Sequence, residues 1–586
     1  MRNAEIADAF TELADRLALT DLKPFRYMAY RTAAATFREL SDSVAVLSAE
    51  GRLCEIKGIG PAIEDKVHDL LTTGTFPALE RAREDVHDTL LALTTLPGVG
   101  AATAQKVFAS TDGESFESLL ERAAKGMLPT GDGVTAKVVS ALAAEHAARA
   151  SGEGGDAGAM SGVPRDERGV PLPGPWIRRD QALELIDATR QLLTTAGARD
   201  AHASGAYVRG LEVLRGVSVV ATADDPPAAL TALADTATAR GWELPDAPLP
   251  RLPLFAGLDA AEVVDQQLVS PAGIPVVIAV AVPAAVARAA HRMAGPGAWI
   301  AREPEPLDAS VPYELRDRVL ADELAPEDVP ADLLTVGDLR GELHAHSDWS
   351  DGTTPVLEMA RAARARGDEF FAVTDHSAPY ALVGGLDPDR LLAQAEEIAA
   401  ANELLAAEHA AGDAPAFRVL RGTELEVLAD GSLGLPDSAL EQLDWVIASI
   451  HMSQRQSPAQ LLERMRRVAE NPLVDAVGHP TSRRLLRRAR TALDVNALIE
   501  LAAASKLVLE INANPDRLDL DSIHAARALA SGVLLTVNTD AHRPSSLALR
   551  DHGVAVARRA GARTCDVVNC RSVVELLAAR RRHAGA

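Results

Sequence analysis

The sequence lacks three things that would each have pointed somewhere definite. It has only three cysteines in 586 residues, Cys54, Cys565 and Cys570, which excludes a disulfide scaffold, gives no zinc-binding spacing and agrees with a reducing compartment. Read as small buried hydrophobes, they need no further role. It has no excess of positive charge: the net charge of −24 excludes broad electrostatic adhesion to nucleic acid or to an acidic membrane. Any DNA contact must be local, through backbone groups and a few placed cations. It also lacks a membrane-spanning run. The longest uncharged stretch, Gln266 to Ala287, is interrupted by Pro271, Pro275 and Pro283, and the first ten residues read as an amphipathic helix rather than a signal peptide. The expected location is therefore cytoplasmic, with no membrane partner.

The length is too great for one core, and two to four domains are expected. Residues 1–150 are helical in pattern and contain an internal repeat: Gly58-Ile-Gly60-Pro-Ala-Ile-Glu-Asp-Lys66 returns as Gly98-Val-Gly100-Ala-Ala-Thr-Ala-Gln-Lys106. Each copy follows one helical segment and opens another. A Gly-x-Gly turn of this kind aims backbone N–H groups at a phosphate beside a helix N-terminus, and the lysine on the first turns of that helix lies near the same anion. Such contacts hold a nucleic-acid backbone without reading its sequence. A third, weaker copy runs through Gly131 to Lys137.

Residues 151–176 are rich in Gly, Ser and Pro and read as a linker. Residues 177–335 follow, with a helix over Gln181 to Thr195 and β-branched runs at Gly216 to Ala221 and Ile274 to Val282, an α+β pattern. From 336 to 586 strand-length apolar runs alternate with helices such as Pro355 to Arg366 and Arg390 to His409, the signature of a parallel sheet covered by helices. These runs end on metal-type side chains. His344 and His346 stand two apart, the strand period, so both imidazoles leave one face, and Asp351 follows in a turn. Other runs lead to His376, Glu424, His451, His479, Asp540 and His542. Polar residues at successive strand ends converge on one face of an αβ barrel, and that convergence, more than any one histidine, points to a metal site.

The stretches Glu342-Leu-His-Ala-His-Ser-Asp-Trp-Ser-Asp-Gly, Thr374-Asp-His376, Gly422-Thr-Glu424, Ser449-Ile-His451, Gly478-His479-Pro and Thr539-Asp-Ala-His542 resemble the PHP (polymerase and histidinol phosphatase) domain family. The resemblance implies a distorted seven-stranded αβ barrel whose ligands are His344, His346, Asp351, His376, Glu424, His451, His479, Asp540 and His542. Glu342 departs from the aspartate usual there. The repeat at Gly58 and Gly98 resembles the helix-hairpin-helix motif. Nearly end to end, with Asp21-Leu-Lys-Pro-Phe-Arg-Tyr and Glu510-Ile-Asn-Ala-Asn-Pro-Asp-Arg added, the chain is similar to bacterial family X DNA polymerases carrying a PHP tail.

That resemblance implies a multidomain protein: an all-α helix-hairpin-helix region, a degenerate polymerase palm and thumb, and a PHP barrel with 3′–5′ exonuclease or 3′-end processing activity. Two to three divalent ions are expected, Zn²⁺, Mn²⁺ or Fe²⁺ by the imidazole-rich donor set. His376, His451 and Asp540 are the candidates for protonating the leaving oxygen, and DNA is the expected partner at Gly58, Gly60, Lys66, Gly98, Gly100 and Lys106. A histidinol-phosphatase-like enzyme for small esters and a non-catalytic DNA-binding scaffold are the alternatives. Polymerase activity is not expected. Gly216 and Ser218 stand where that family has paired aspartates, Val277 where it has the third, and Ala206 replaces its serine.

Overall fold

The computed structural model describes the chain apart from residues 2, 21–23, 41–42, 57, 97–98, 100, 129, 132–133, 151–174, 245–254, 256–258, 296–310, 379, 381–382 and 582–586. Gly98, Gly100, most of the expected linker and the start of the Asp21 stretch lie outside the described residues. Two compact units account for the rest, Met1–Ser204 with Arg215–Met293, and Gly205–Leu214 with Ala294–Ala586.

The first unit begins with helices throughout. Asn3–Thr20 and Pro24–Glu39 pack Ile6, Phe10 and Leu13 against Phe37, and Phe76 closes the same core. The first hairpin has the expected form. Gly58 has φ 91, in the left-handed region where only glycine is unstrained, and Gly60 caps the helix Pro61–Thr73, with proline as its first residue. A Cβ built at Gly60 would meet nothing, so the turn is open to an approaching group. Lys66 lies on that helix, its Nζ donating to Ala62 O at 2.7 Å. Lys106 is exposed on the helix Ala101–Ser110.

After the helix Arg179–Thr195 the unit holds a sheet of β1 (Arg199–Ser204), β2 (Val217–Thr222), β3 (Val263–Val269) and β4 (Pro275–Ala281), in the order β1-β2-β4-β3. The sequence exposes β2 and β4 through their β-branched residues. The outer strands, Arg-Asp-Ala-His-Ala-Ser and Val-Val-Asp-Gln-Gln-Leu-Val, carry polar residues on their half-exposed faces and leave no apolar run to see. Strands β2 and β4 are parallel, and Ser218 is paired directly with Val277.

The second unit is a seven-stranded, nearly closed parallel barrel, as expected. Its strands are β5 (Gly341–Ala345), β6 (Phe370–Val373), β7 (Arg418–Glu426), β8 (Trp445–Ser449), β9 (Ala476–Val477), β10 (Val508–Asn512) and β11 (Leu535–Asn538), neighbours in sequence order. Asn569 stitches the first strand to the last, donating to Gly341 O at 3.1 Å and Val537 O at 2.7 Å. Beyond the strand ends His346 N donates to Ala541 O at 2.8 Å. The strands are largely buried on both faces, which is why β6 and β8 read as continuous apolar runs. Leu343, Phe370, Leu420, Ile447 and Ala476 form part of the core. The covering helices start on placed caps. Asp387 accepts from Arg390 N ahead of Pro388–Ala410, and Ser457 and Gln460 form a capping box ahead of Pro458–Glu470. No helix among the described residues is long and apolar enough to cross a membrane. The expectation that the cysteines are buried holds for Cys570 alone; Cys54 and Cys565 are exposed.

Candidate metal centre

Six of the seven barrel strands, all but β10, bring one or two of the expected ligands to their C-terminal ends. Alternation along β5 puts Glu342 and His344 on one face, and His346 follows just beyond. His376 and His451 stand just past β6 and β8, His479 follows the short β9, and Asp540 and His542 follow β11, while Glu424 is still within β7. All nine expected ligands come together. Their ligand atoms form four overlapping groups within 4.8 Å: His346, Asp351, His376 and His542; His344, Glu424 and His479; His344, His346 and Asp540; His376, Glu424 and His451. Glu424 is the hub, 2.9 Å from His376 Nδ1, 3.2 Å from His451 Nε2 and 2.8 Å from His479 Nε2.

The backbone is held in uncommon conformations to achieve this. His479 and Asp540 have φ of 27 and 53, costing roughly 1–3 kcal/mol each. His479 N is secured by a 2.6 Å bond to Glu510 Oε2. Glu342, the residue that departs from the resemblance, accepts from His344 N and from Thr539 N and Oγ1. It therefore ties β5 to β11 beneath the site, and burial pushes its pKa up to about 7.

Further carboxylates, to which sequence spacing alone gives no role, stand behind the histidines. Glu510 Oε1 is 2.8 Å from His344 Nδ1, and Glu426 Oε2 is 2.8 Å from His451 Nδ1. Each fixes which ring nitrogen faces the cluster, the usual support of a metal-binding imidazole. Glu426 stands one strand period beyond Glu424, a signal that was available. Asp375 accepts from Ser347, Ser350 and Gln394 and pins the loop after His346. Tyr380 stacks on His451 at 4.9 Å between centroids.

Charges in the cluster are strongly coupled. Burial opposes charge on Glu424 and Asp540, yet the surrounding imidazoles hold both carboxyls well below their usual range. Burial likewise opposes charge on His344, but Glu510, Glu424 and Asp540 carry its pKa well up. His346 and His479 go the other way, depressed to about 3 and about 4, chiefly by burial. The donor set fits divalent cations by a second criterion. His344 Nε2, His346 Nδ1 and His479 Nδ1 are buried with no hydrogen-bond partner, a cost of about 1–3 kcal/mol for each such atom unless something coordinates it. On one side the cluster is open. The side chains of Asp351 and His542 are 30% and 36% exposed, against 10% or less for the other seven.

A parallel αβ barrel with six imidazoles and three carboxylates around its C-terminal mouth is a barrel made to hold metal ions. The PHP domain family matches residues 342–514, and the helix-hairpin-helix domain family matches residues 1–76, so the chain carries both domains. It is similar to the DNA polymerase/3′-5′ exonuclease PolX of Bacillus subtilis (strain 168), 38% identical over 273 residues, which is 47% of this chain and 46% of that protein. It is also similar to a probable phosphatase of Acetivibrio thermocellus, 28% identical over 180 residues, 29% of this chain and 64% of the relative. A solved histidinol phosphate phosphatase of Lactococcus lactis, complexed with zinc, L-histidinol and phosphate, matches with a TM-score of 0.28 and 16% identity over 37% of this chain and 93% of that one. The chain thus spans about half to two-thirds of the length of the first two relatives.

Proposed function

We propose that this chain is a metal-dependent phosphoesterase that shortens or trims DNA at 3′ ends, working as a 3′–5′ exonuclease in repair, and that it does not polymerise. The observation that carries the reading is the nine-donor cluster with its open edge at Asp351 and His542, since a purely structural site would be closed. His344, His346, Asp351, His376, Glu424, His451, His479, Asp540 and His542 would hold two to three ions of zinc, manganese or iron. Divalent ions bound there supply Lewis acidity, acting on a phosphoryl oxygen and on the attacking water near neutral pH. The protein contributes orientation and exclusion of solvent. Glu510 and Glu426 fix the rings of His344 and His451, and the buried side chains keep bulk water to one edge. His376, His451 and Asp540 remain the candidates for handing a proton to the leaving oxygen.

The hairpins support DNA as partner. Gly58, Gly60 and Lys66, with Gly98, Gly100 and Lys106 in the repeat, would take a backbone phosphate independently of sequence. In domain terms we assign 1–150 to DNA binding, 151–176 to a linker, 177–335 to a degenerate palm and thumb, and 336–586 to the phosphoesterase. The three unpaired cysteines favour a reducing, cytoplasmic setting. A small-ester phosphatase is the second reading, favoured by relatives described as probable phosphatases. A non-catalytic scaffold would leave the open edge without a use.

The experiment compares a 3′-labelled oligonucleotide with histidinol phosphate as substrates for protein purified without added metal, with bound ions counted. Two or more ions per chain and hydrolysis of the oligonucleotide are expected. His344→Ala with His346→Ala should abolish turnover and spare DNA binding. Cleavage of the small ester alone would move the assignment to the second reading, and full activity in metal-free protein would end both.

A further inference from the structure

Between Asp475 and Asp494 the chain has no acidic residue and five arginines, Arg483, Arg484, Arg487, Arg488 and Arg490. The chain as a whole carries a net charge of −24, so this is a local reversal of sign. It begins four residues after His479 of the metal centre.

The segment is a built loop. Arg484 and Arg488 exchange backbone bonds in both directions, at 3.0 and 2.8 Å, and Thr491 N donates to Thr481 O at 2.9 Å. Leu485 is fully buried, and its N–H donates to Asp516 O at 2.5 Å. The inner arginines serve as anchors. Arg483 donates to Arg517 O and pairs with Glu212 at 2.7 Å, and Arg484 pairs with Asp516. Arg488 gives one N–H to Ser482 O at 2.7 Å but is otherwise exposed, as is Arg490.

One cation already stands at the centre itself. Arg517 Nε is 3.5 Å from Asp540 Oδ2. Arg488 has its pKa lowered by burial of part of the group and then by the like charges of Arg517 and Arg484 beside it. Asp516, already paired with Arg484, partly offsets that repulsion, and Tyr380, whose ring stacks on His451, acts on Arg488 more weakly in the same sense. Like charges held together by a fixed loop are stabilised when an anion lies across them. A small monoester delivers its one phosphate to the metal centre and has nothing to offer the outer cations. A polynucleotide brings a phosphate with every nucleotide, and a cationic track beside an aromatic ring is how single strands are held without regard to sequence.

We propose that Arg488 and Arg490 form a subsite for the phosphate backbone of a single-stranded polynucleotide whose 3′ end is in the metal centre. The proposal rests on the phosphoesterase reading and names its substrate class. Arg488→Ala/Arg490→Ala is compared with the unaltered full chain on a 3′-labelled hexanucleotide, on bis(p-nitrophenyl) phosphate, and in direct binding of a fluorescein-labelled hexanucleotide, each at several salt concentrations. Expected are a loss on the order of tenfold in kcat/KM for the hexanucleotide, mainly in KM, and a salt dependence shallower by about 0.7 per cation removed, with the small diester hydrolysed at its former rate. Arg488→Lys/Arg490→Lys should restore most of the salt dependence. An equal loss on both substrates, or no change in either hydrolysis or binding of the hexanucleotide, overturns the subsite. If the unaltered chain hydrolyses neither substrate, the phosphoesterase reading falls. The binding measurement then decides the subsite alone: weaker, less salt-sensitive binding by the Ala variant upholds it, and unchanged binding overturns it.

Discussion

Glu510 joins two ligands at once: one oxygen meets His344 Nδ1 at 2.8 Å and the other accepts from His479 N at 2.6 Å. Asn538 and Asn512 donate to the same carboxylate, at 2.9 and 3.3 Å. Glu510→Gln keeps the shape but replaces an acceptor with a donor and removes the charge behind the imidazole. Its metal content or affinity and its phosphoesterase rate should fall roughly 10- to 100-fold, as for other partners behind metal-binding histidines. Metal titration and turnover of the purified variant check this, and unaltered values for both would reduce Glu510 to a space-filling role. Eight of the nine cluster residues were legible because they stand at or just past the end of a strand-length run, and Asp351 because it follows the His-x-His pair in a turn. Glu510 was not, although it lies in a stretch that matched by resemblance, because a carboxylate in mid-strand looks the same whether it props a ligand or only satisfies backbone donors.

At the level of elements, the middle sheet shows what became of the expected polymerase strands. Register places Ser218 opposite Val277, so two of the positions expected to carry carboxylates face each other with none. A Cβ added at Gly216 would run into Pro275 O of the neighbouring strand, and the backbone there leaves no room for a third. The nearby acids are engaged elsewhere: Asp225 caps the helix Pro226–Ala239, and Asp224 pairs with Arg199 at 2.6 Å. Without carboxylates the strands cannot hold two hard cations against a triphosphate. In primer extension the chain should incorporate no nucleotide. The variant Gly216→Asp/Ser218→Asp/Val277→Asp should also fail, and should melt below the parent because of the clash. Incorporation that survives His344→Ala and follows the protein through successive columns would refute this. The β2 and β4 strands and the first hairpin were readable from local pattern, since a β-branched run and a Gly-x-Gly-Pro turn are complete signals over a few residues. The edge strands lacked such a signal, and their pairing alone makes them strands.

For the whole molecule, chain order suggested consecutive domains, yet Gly205–Leu214 belongs to the same compact unit as the barrel. Within that unit Gly210 sits against Ala555 O, Arg209 O accepts from Arg559 Nη1 at 3.1 Å, and Glu212 pairs with Arg483 at 2.7 Å while accepting from Ser522 N. Contacts between residues 212 and 483 leave no trace in periodicity or motif spacing, which is why this arrangement was invisible beforehand. It makes a fragment 294–586 incomplete. The fragment would bury Arg483 with Asp521 at 3.8 Å as its remaining ion-pair partner, and loss of Glu212 should cost about 3 kcal/mol, the lower end for a broken buried pair. Calorimetry should show the barrel transition several degrees lower in Glu212→Gln and lower still, or lost to aggregation, in the fragment. Arg483→Met in the fragment should recover part of the difference, because an apolar chain needs no counter-charge there. A fragment as stable as the intact barrel unit would mean that Gly205–Leu214 adheres to the barrel without supporting it, and that Arg483 is satisfied by Arg517 O, Leu518 O and Asp521 alone.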